Sequence, residues 1–140
     1  MTQLAKDTPR KFDNGIEPVF NDLPVLTAIV IYAGAALGHS GGYARQFADG
    51  DEFCGFAVEG ADNTAGASGA ITVKTRSKGA IEIPVTGADA TKLGDVVYLT
   101  DSNTFSLTDS GSDTVVGRVL RHVSGTTCLV YFEALALRSI

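Results

Sequence analysis

From Val25 onward the chain is built of short apolar runs, broken every eight to twelve residues by Gly, Asn, Asp or Ser. Within the runs, apolar and polar residues tend to alternate. A period of two places alternate side chains on opposite faces of a strand, whereas a helix needs apolar residues three and four apart. No stretch carries three convincing turns of amphipathic helix. The expected fold is therefore mostly β, a single sandwich or small barrel of short strands joined by tight turns.

Individual strands can be placed. Leu26–Tyr32 is rich in β-branched residues and ends at Gly34, and Phe53–Val58 is a short apolar run. In Ala70–Arg76, Ile71 and Val73 alternate with Thr72, Lys74 and Arg76; Ile81, Ile83 and Val85 alternate with Glu82 and Pro84. Ser77-Lys78-Gly79 between these two runs reads as a hairpin turn. Pro84 has no N–H for a ladder, which places it at an edge. Asp101-Ser102-Asn103 and Ser124-Gly125 mark two further hairpins, joining Val96–Thr100 to Thr104–Leu107 and Thr114–Val123 to Thr126–Glu133. Gly87–Gly94 has a capping Asp89 and a closing Gly94, which predicts one helical turn. Gly60–Gly69 is small, polar and aperiodic, so it is expected to be mobile or ordered only by a partner.

Residues 1–24 differ from the rest. They hold three of the four prolines, Pro9, Pro18 and Pro24, together with Asn14, Gly15, Asn21 and Asp22. That density of Pro and Asn breaks regular structure. Phe12, Ile16, Val19 and Phe20 are scattered among them and still favour burial. An extended arm lying on a surface meets both conditions, and the surface is either the chain's own body or a partner. The chain thus divides into an arm, residues 1–24, and a β domain, residues 25–140.

The net charge of −5 argues against nucleic acid, whose phosphates need a basic face. Its distribution is uneven: Lys6, Arg10 and Lys11 against Asp7 give residues 1–12 a net +2, leaving −7 for the remainder. A basic tail on an acidic body is either an arm that docks on something acidic or a solvated tail. With 140 residues and 44% hydrophobic composition, the chain can bury a core without metals or disulfides. Cys54 and Cys128 lie in apolar runs with no CxxC spacing and no nearby His, the setting of buried free thiols; the pattern does not exclude a bond between them. No apolar stretch is long enough to span a bilayer and the start of the chain lacks a signal-peptide core, so the expected protein is soluble and made in a cytoplasm.

Catalytic patterns are thin. Gly38-His39-Ser40-Gly41-Gly42 matches G-x-S-x-G, which in hydrolases sits on a strained turn between a strand and a helix. Here Tyr43–Phe47 is too short for that helix and runs into Ala48-Asp49-Gly50-Asp51. The only histidines are His39 and His122. A Gly-rich β-turn explains the segment without chemistry. There is no Gly-Lys-Ser or Gly-Lys-Thr of a P-loop and no dinucleotide fingerprint. Asp109, Ser110 and Asp113 lack the spacing of a calcium loop, and Asp49, Asp51 and Glu52 read as a solvated acidic loop. No cofactor, metal or small-molecule substrate is expected.

The order of features along the body resembles a known family. It runs from Tyr32-Ala33-Gly34-Ala35-Ala36-Leu37 through a Gly-rich turn to Phe53-Cys54-Gly55-Phe56-Ala57 and then Asn63-Thr64-Ala65-Gly66. A strand pair through Lys78-Gly79 follows, then Leu93-Gly94-Asp95-Val96-Val97-Tyr98, Val116-Gly117-Arg118-Val119, and a closing strand, Cys128 to Glu133. Over residues 25–133 this is similar to the small capsid decoration, or cement, proteins of tailed bacteriophages. The resemblance implies a β-barrel or β-tulip domain with an extended N-terminal arm, bound as a homotrimer to the outside of the major capsid protein shell and stabilising the virion head. It implies no enzymatic activity. On that reading the arm residues Lys6, Arg10, Lys11, Phe12, Ile16 and Phe20 are the candidate partner contacts. Two other readings stand beside it: a small serine hydrolase using Ser40, and a β-barrel carbohydrate-binding or adhesion module.

Overall fold

The structure, a computed structural model, describes residues 3–13, 15–109 and 113–137; Asn14 and Ser110, named above, lie outside them. In chain order the strands are β1 (Lys11–Asp13), β2 (Val19–Pro24), β3 (Val30–Ile31), β4 (Ala36–Ser40), β5 (Tyr43–Gln46) and β6 (Gly55–Ala57). They continue with β7 (Ala61–Asp62), β8 (Thr72–Pro84), β9 (Val96–Asp101), β10 (Thr104–Ser106), β11 (Thr114–Ser124) and β12 (Thr127–Glu133). One 3₁₀ turn, Leu135–Leu137, follows. The fold is mostly β, as the alternation predicts, and the described residues contain no α-helix.

Ten strands form one antiparallel sheet in the order β10-β9-β11-β12-β8-β6-β4-β5, with β1 and β2 also paired to β8. The sheet curls into a barrel-like shell. Two parallel bridges mark where it closes: Thr86↔Ser106 brings β10 to the chain leaving β8, and Val25↔Ala44 brings β5 to the chain leaving β2. The hairpins expected at 101–103 and 124–125 are present as β9–β10 and β11–β12.

The hairpin expected at Ser77-Lys78-Gly79 is not formed. Thr72–Pro84 is one continuous strand of 13 residues, the longest in the chain. Tertiary partners override the local turn signal. Phe20 and Phe56 both register with Arg76, and Phe12 and Val130 both register with Ile81. A residue has one neighbour on each edge, so β8 is paired on both. The arm strands β1 and β2 take one edge, and β12 and β6 share the other. Ala134 N–H extends the β12 ladder to Ser77 O at 2.8 Å, and Leu135 N–H meets Phe53 O at 2.9 Å, which joins the two strands end to end. The lack of a side chain at Gly79 accommodates Arg76: a Cβ there would lie 3.0 Å from the Arg76 Nε. At Pro84 only β12 is in register, because β1 reaches no further than Glu82.

Two apolar clusters fill the shell. The larger centres on Phe53, Phe56 and Phe132, whose rings meet edge to face at 5.5 Å (Phe53–Phe56) and 4.9 Å (Phe56–Phe132), together with Ile81, Ile83, Leu99, Phe105 and Cys128. Such pairs add about 0.5–1.5 kcal/mol beyond area burial. The smaller holds Leu4, Val25, Ile31, Leu37, Ala44, Ala57 and Val73.

Three other local expectations are corrected. Leu26–Tyr32 forms strand only at Val30–Ile31, because Ala28 turns at φ 62° with its N–H on Asn63 O. Gly60–Gly69 is ordered by its own chain: the buried Asn63 side-chain amide donates to Val25 O, Leu26 O and Ala67 O at 3.0–3.1 Å. Gly87–Gly94 holds turns and no helix; Asp89 accepts from the Thr91 N–H and hydroxyl, an Asx turn that competes with helix.

The arm lies on the body along its described length. Leu4 is buried; its N–H donates to Ser102 Oγ at 3.0 Å and its carbonyl accepts from Gln46 Nε2 at 3.0 Å. Thr8 N–H donates to Ala33 O at 2.7 Å, and Asp7 Oδ1 accepts from Ala33 N–H at 2.8 Å. Gly34, at φ 88°, lets the Thr8 carbonyl approach so closely that a Cβ would lie 1.7 Å from it. Gly34→Ala is therefore expected to cost about 2–5 kcal/mol through backbone strain and overpacking. It should remove hydrogen-exchange protection at Thr8 while sparing the β11–β12 ladder; unchanged exchange at Thr8 would show that Gly34 is not the arm's seat.

Candidate functional site

The six arm residues singled out in the sequence do not form one surface. Arg10 is turned inward: its Nε donates to Gly34 O at 3.0 Å and an Nη to Asn103 Oδ1 at 2.7 Å, and burial lowers its pKa. Lys11 pairs with Glu82 at 3.2 Å. Phe12 packs 6.1 Å from Phe132 and lies under the Arg76 guanidinium at 4.3 Å. Lys6 is exposed and Ile16 half-buried in the turn before β2. Phe20 is different. It is 50% exposed, with Lys74 Nζ 5.4 Å and Arg76 Cζ 5.6 Å from its ring.

Phe20 lies on the wall of a groove of about 610 Å³. One wall is β2, through Val19, Phe20, Asn21 and Leu23; the other is the 3₁₀ turn with Ala134–Leu137; Phe53, Cys54 and Ser77 line it between them, and His39 and Glu52 stand at its margin. Val19, Phe20, Leu135 and Leu137 are four of the ten large apolar side chains exposed among the described residues, and all four line this groove. Scattered exposed apolar residues need no explanation, whereas four that share one groove make it a candidate contact surface. The groove exists because the two chain ends meet over β8: the arm arrives along one edge and the segment leaving β12 along the other.

Half of this surface is legible in the sequence. Val19 and Phe20 stand out as apolar residues in a Pro- and Asn-rich stretch. Leu135 and Leu137 continue the apolar run of β12, and only the strand's end at Glu133 turns them outward.

The G-x-S-x-G segment is the β4–β5 hairpin. Gly41 and Gly42, at φ 60° and 93°, form its two-residue turn, the left-handed geometry that favours glycine. Ser40 is exposed at the strand end. His39 Nδ1 accepts the Gly42 N–H at 3.1 Å, which puts the neutral ring's proton on Nε2, 3.2 Å from Glu52 Oε1. Both ring nitrogens are engaged, so His39 offers Ser40 no free lone pair. His122 lies in the β11–β12 hairpin, on Gly125 O at 2.9 Å. Asp51 of the acidic loop holds Arg45 through two bonds of 2.7 and 3.0 Å. Among the described residues no group of three or more His, Cys, Asp or Glu is placed to hold a metal ion.

Both cysteines are free thiols. Cys128 is fully buried in the larger cluster. Cys54 is half-buried in the groove; burial, with help from Glu52 and Asp51, pushes its pKa up to about 11. No protein-family model matches the chain, and no curated protein matches it.

The raised Cys54 pKa can be tested. Only the thiolate is alkylated, so iodoacetamide labelling should climb about tenfold per pH unit from about pH 8 to about pH 10 without levelling. Levelling at or below about pH 9, the range of an ordinary thiol, would contradict the buried setting of Cys54.

Proposed function

We propose that this chain is a structural virion protein, a capsid decoration protein that binds the outside of a phage major capsid protein shell and stabilises the head. The exposed apolar groove between the arm and the Leu135–Leu137 turn carries this reading, because clustered exposed apolar side chains suit contact with another protein. The order of Gly and apolar motifs over residues 25–133 points to which class of protein that is. The arm supports it in a particular way. Arg10 and Phe12 fasten the arm to the body, Lys11 adds an exposed ion pair to Glu82, and β2 presents Val19 and Phe20. The arm would act as one wall of a rigid contact surface, and little ordering entropy would be lost on binding.

A brace of this kind works by adding buried area across a seam, with many copies bound side by side, so each contact can be modest. The proposed homotrimer needs a second surface. The outer face of β9, β11 and β12 offers one, where Val96, Tyr98, Val115 and Tyr131 line a shallow hollow of about 370 Å³. Light scattering should then give three times the 14.5 kDa chain mass, and Val115→Arg should return a monomer. A monomer in the unsubstituted chain would remove the trimer from the proposal.

The reading itself is tested by mixing the purified chain with expanded, undecorated shells and sedimenting them. Stoichiometric pelleting is expected. The double substitution Leu135→Asp and Leu137→Asp, both at exposed positions, should keep the circular dichroism spectrum and weaken binding about tenfold or more. A chain that stays in the supernatant while an established shell binder pellets would end the proposal.

A further inference from the structure

The shape and charge of the groove say what kind of segment fits it. The groove runs beside β2, an extended strand that forms one of its walls. An extended segment of four or five residues fits alongside β2, whose six residues run about 20 Å. The walls are apolar, so they suit alternate apolar side chains of such a segment.

The margin is not neutral. Apart from the Cys54 thiol, the titratable side chains that line the groove are His39 and Glu52. Glu52 is 57% exposed, and its contact with His39 is made to the Nε2–H of a ring whose Nδ1 accepts from Gly42. The pair therefore carries a net negative charge when the ring is neutral. The cations nearest the opposite wall, Lys74 and Arg76, lie against the Phe20 ring. The net charge of −5 on the whole chain adds to the same field.

We infer that the groove takes an extended peptide segment of the partner, with apolar side chains two apart and a Lys or Arg placed over Glu52. The identity of the partner rests on the function proposed above; the chemistry of the segment rests on the groove alone.

The probes are two capped pentapeptides, Lys-Leu-Val-Leu-Lys and Glu-Leu-Val-Leu-Glu, titrated to millimolar concentration into the isotope-labelled full chain and followed by amide shifts. The basic peptide should move the amides of Phe20, Cys54, Leu135 and Leu137 and bind about three- to tenfold more tightly than the acidic one, the range that exposed charge pairs supply. Glu52→Lys should reverse the ranking, and added salt should narrow it. Equal binding of the two peptides, shifts that fall elsewhere, a ranking untouched by Glu52→Lys, or no shifts with either peptide would each overturn the inference. Shell sedimentation separates it from the functional reading. If the basic peptide binds in the groove and shells pellet no protein, the reading as a capsid protein fails and the inference stands. If shells pellet the protein and the peptides show no ranking, the inference fails and the reading stands.

Discussion

The molecule depends on one strand having partners along both edges. β8 meets β12 over residues 78–84 and β6 at residues 75 and 76 on one side, and β1 and β2 over residues 80–82 and 72–78 on the other. A strand paired on both edges has its backbone N–H and C=O groups satisfied, and it offers no template for aggregation. The arrangement also binds the N-terminal segment, the middle of the chain and the C-terminal strand into one unit. Lys11–Asp13 and Val19–Pro24 are therefore part of the β structure, although the composition around them looks like that of a tail. Taking them away would uncover the β8 edge and the Leu4 and Val25 side of the smaller core.

Arg76 shows how the arm edge is held without being apolar. Its side chain is almost fully buried, with the guanidinium 4.3 Å from the centre of the Phe12 ring and 5.6 Å from that of Phe20. A desolvated cation over an aromatic face contributes about 2 kcal/mol. Burial lowers its pKa, yet a guanidinium keeps its charge in proteins, so the contact persists at any ordinary pH. The Arg76 side chain lies over Gly79, where any larger residue would crowd it. The same glycine that looks like a turn in the sequence is thus a point of close approach inside a continuous strand.

That misreading shows which parts of the fold were legible. The β9–β10 and β11–β12 hairpins could be read because alternation and turn residues act within a dozen positions. β8 could not, because its continuity is imposed by partners drawn from residues 11–24, 56–57 and 127–133. Leu26–Tyr32 has the composition of a strand, but Ala28 turns away to meet Asn63, a contact 35 positions distant. Asn63 in turn orders a loop whose composition predicted mobility; one buried amide with three carbonyl partners outweighs the flexibility of its small neighbours. The groove was the least legible part. Its lining comes from residues 19–21, 23, 39, 52–54, 77 and 134–137, and of these Phe20 alone is among the candidate partner contacts, although Val19 also stands out in the sequence. Arg10 and Phe12 looked like partner contacts because charge and aromaticity in a Pro-rich stretch suggest a free arm; in the fold they fasten it, whereas Lys11 meets Glu82 from an exposed position.

This division of labour within the arm bears on how such a surface could bind tightly while remaining small. A free arm that orders on contact loses about 1–2 kcal/mol of backbone entropy per residue, which offsets much of what its side chains gain. Here that loss is incurred when the chain folds. The bonds from Gln3, Leu4, Thr8 and Arg10 to the body, and the β1 and β2 ladders, settle the position of Val19 and Phe20 beforehand. Leu135 and Leu137 are fixed in the same way by the Leu135 N–H on Phe53 O and the Leu137 N–H on Ala134 O. Exposed apolar side chains are thus held on both walls by backbone bonds. A preorganised groove gains most from apolar side chains that fill it and least from flexible charged ones at the rim. For the segment inferred above, affinity should therefore reside in Val19, Phe20, Leu135 and Leu137, while Glu52 would set which segments are admitted and how fast they arrive.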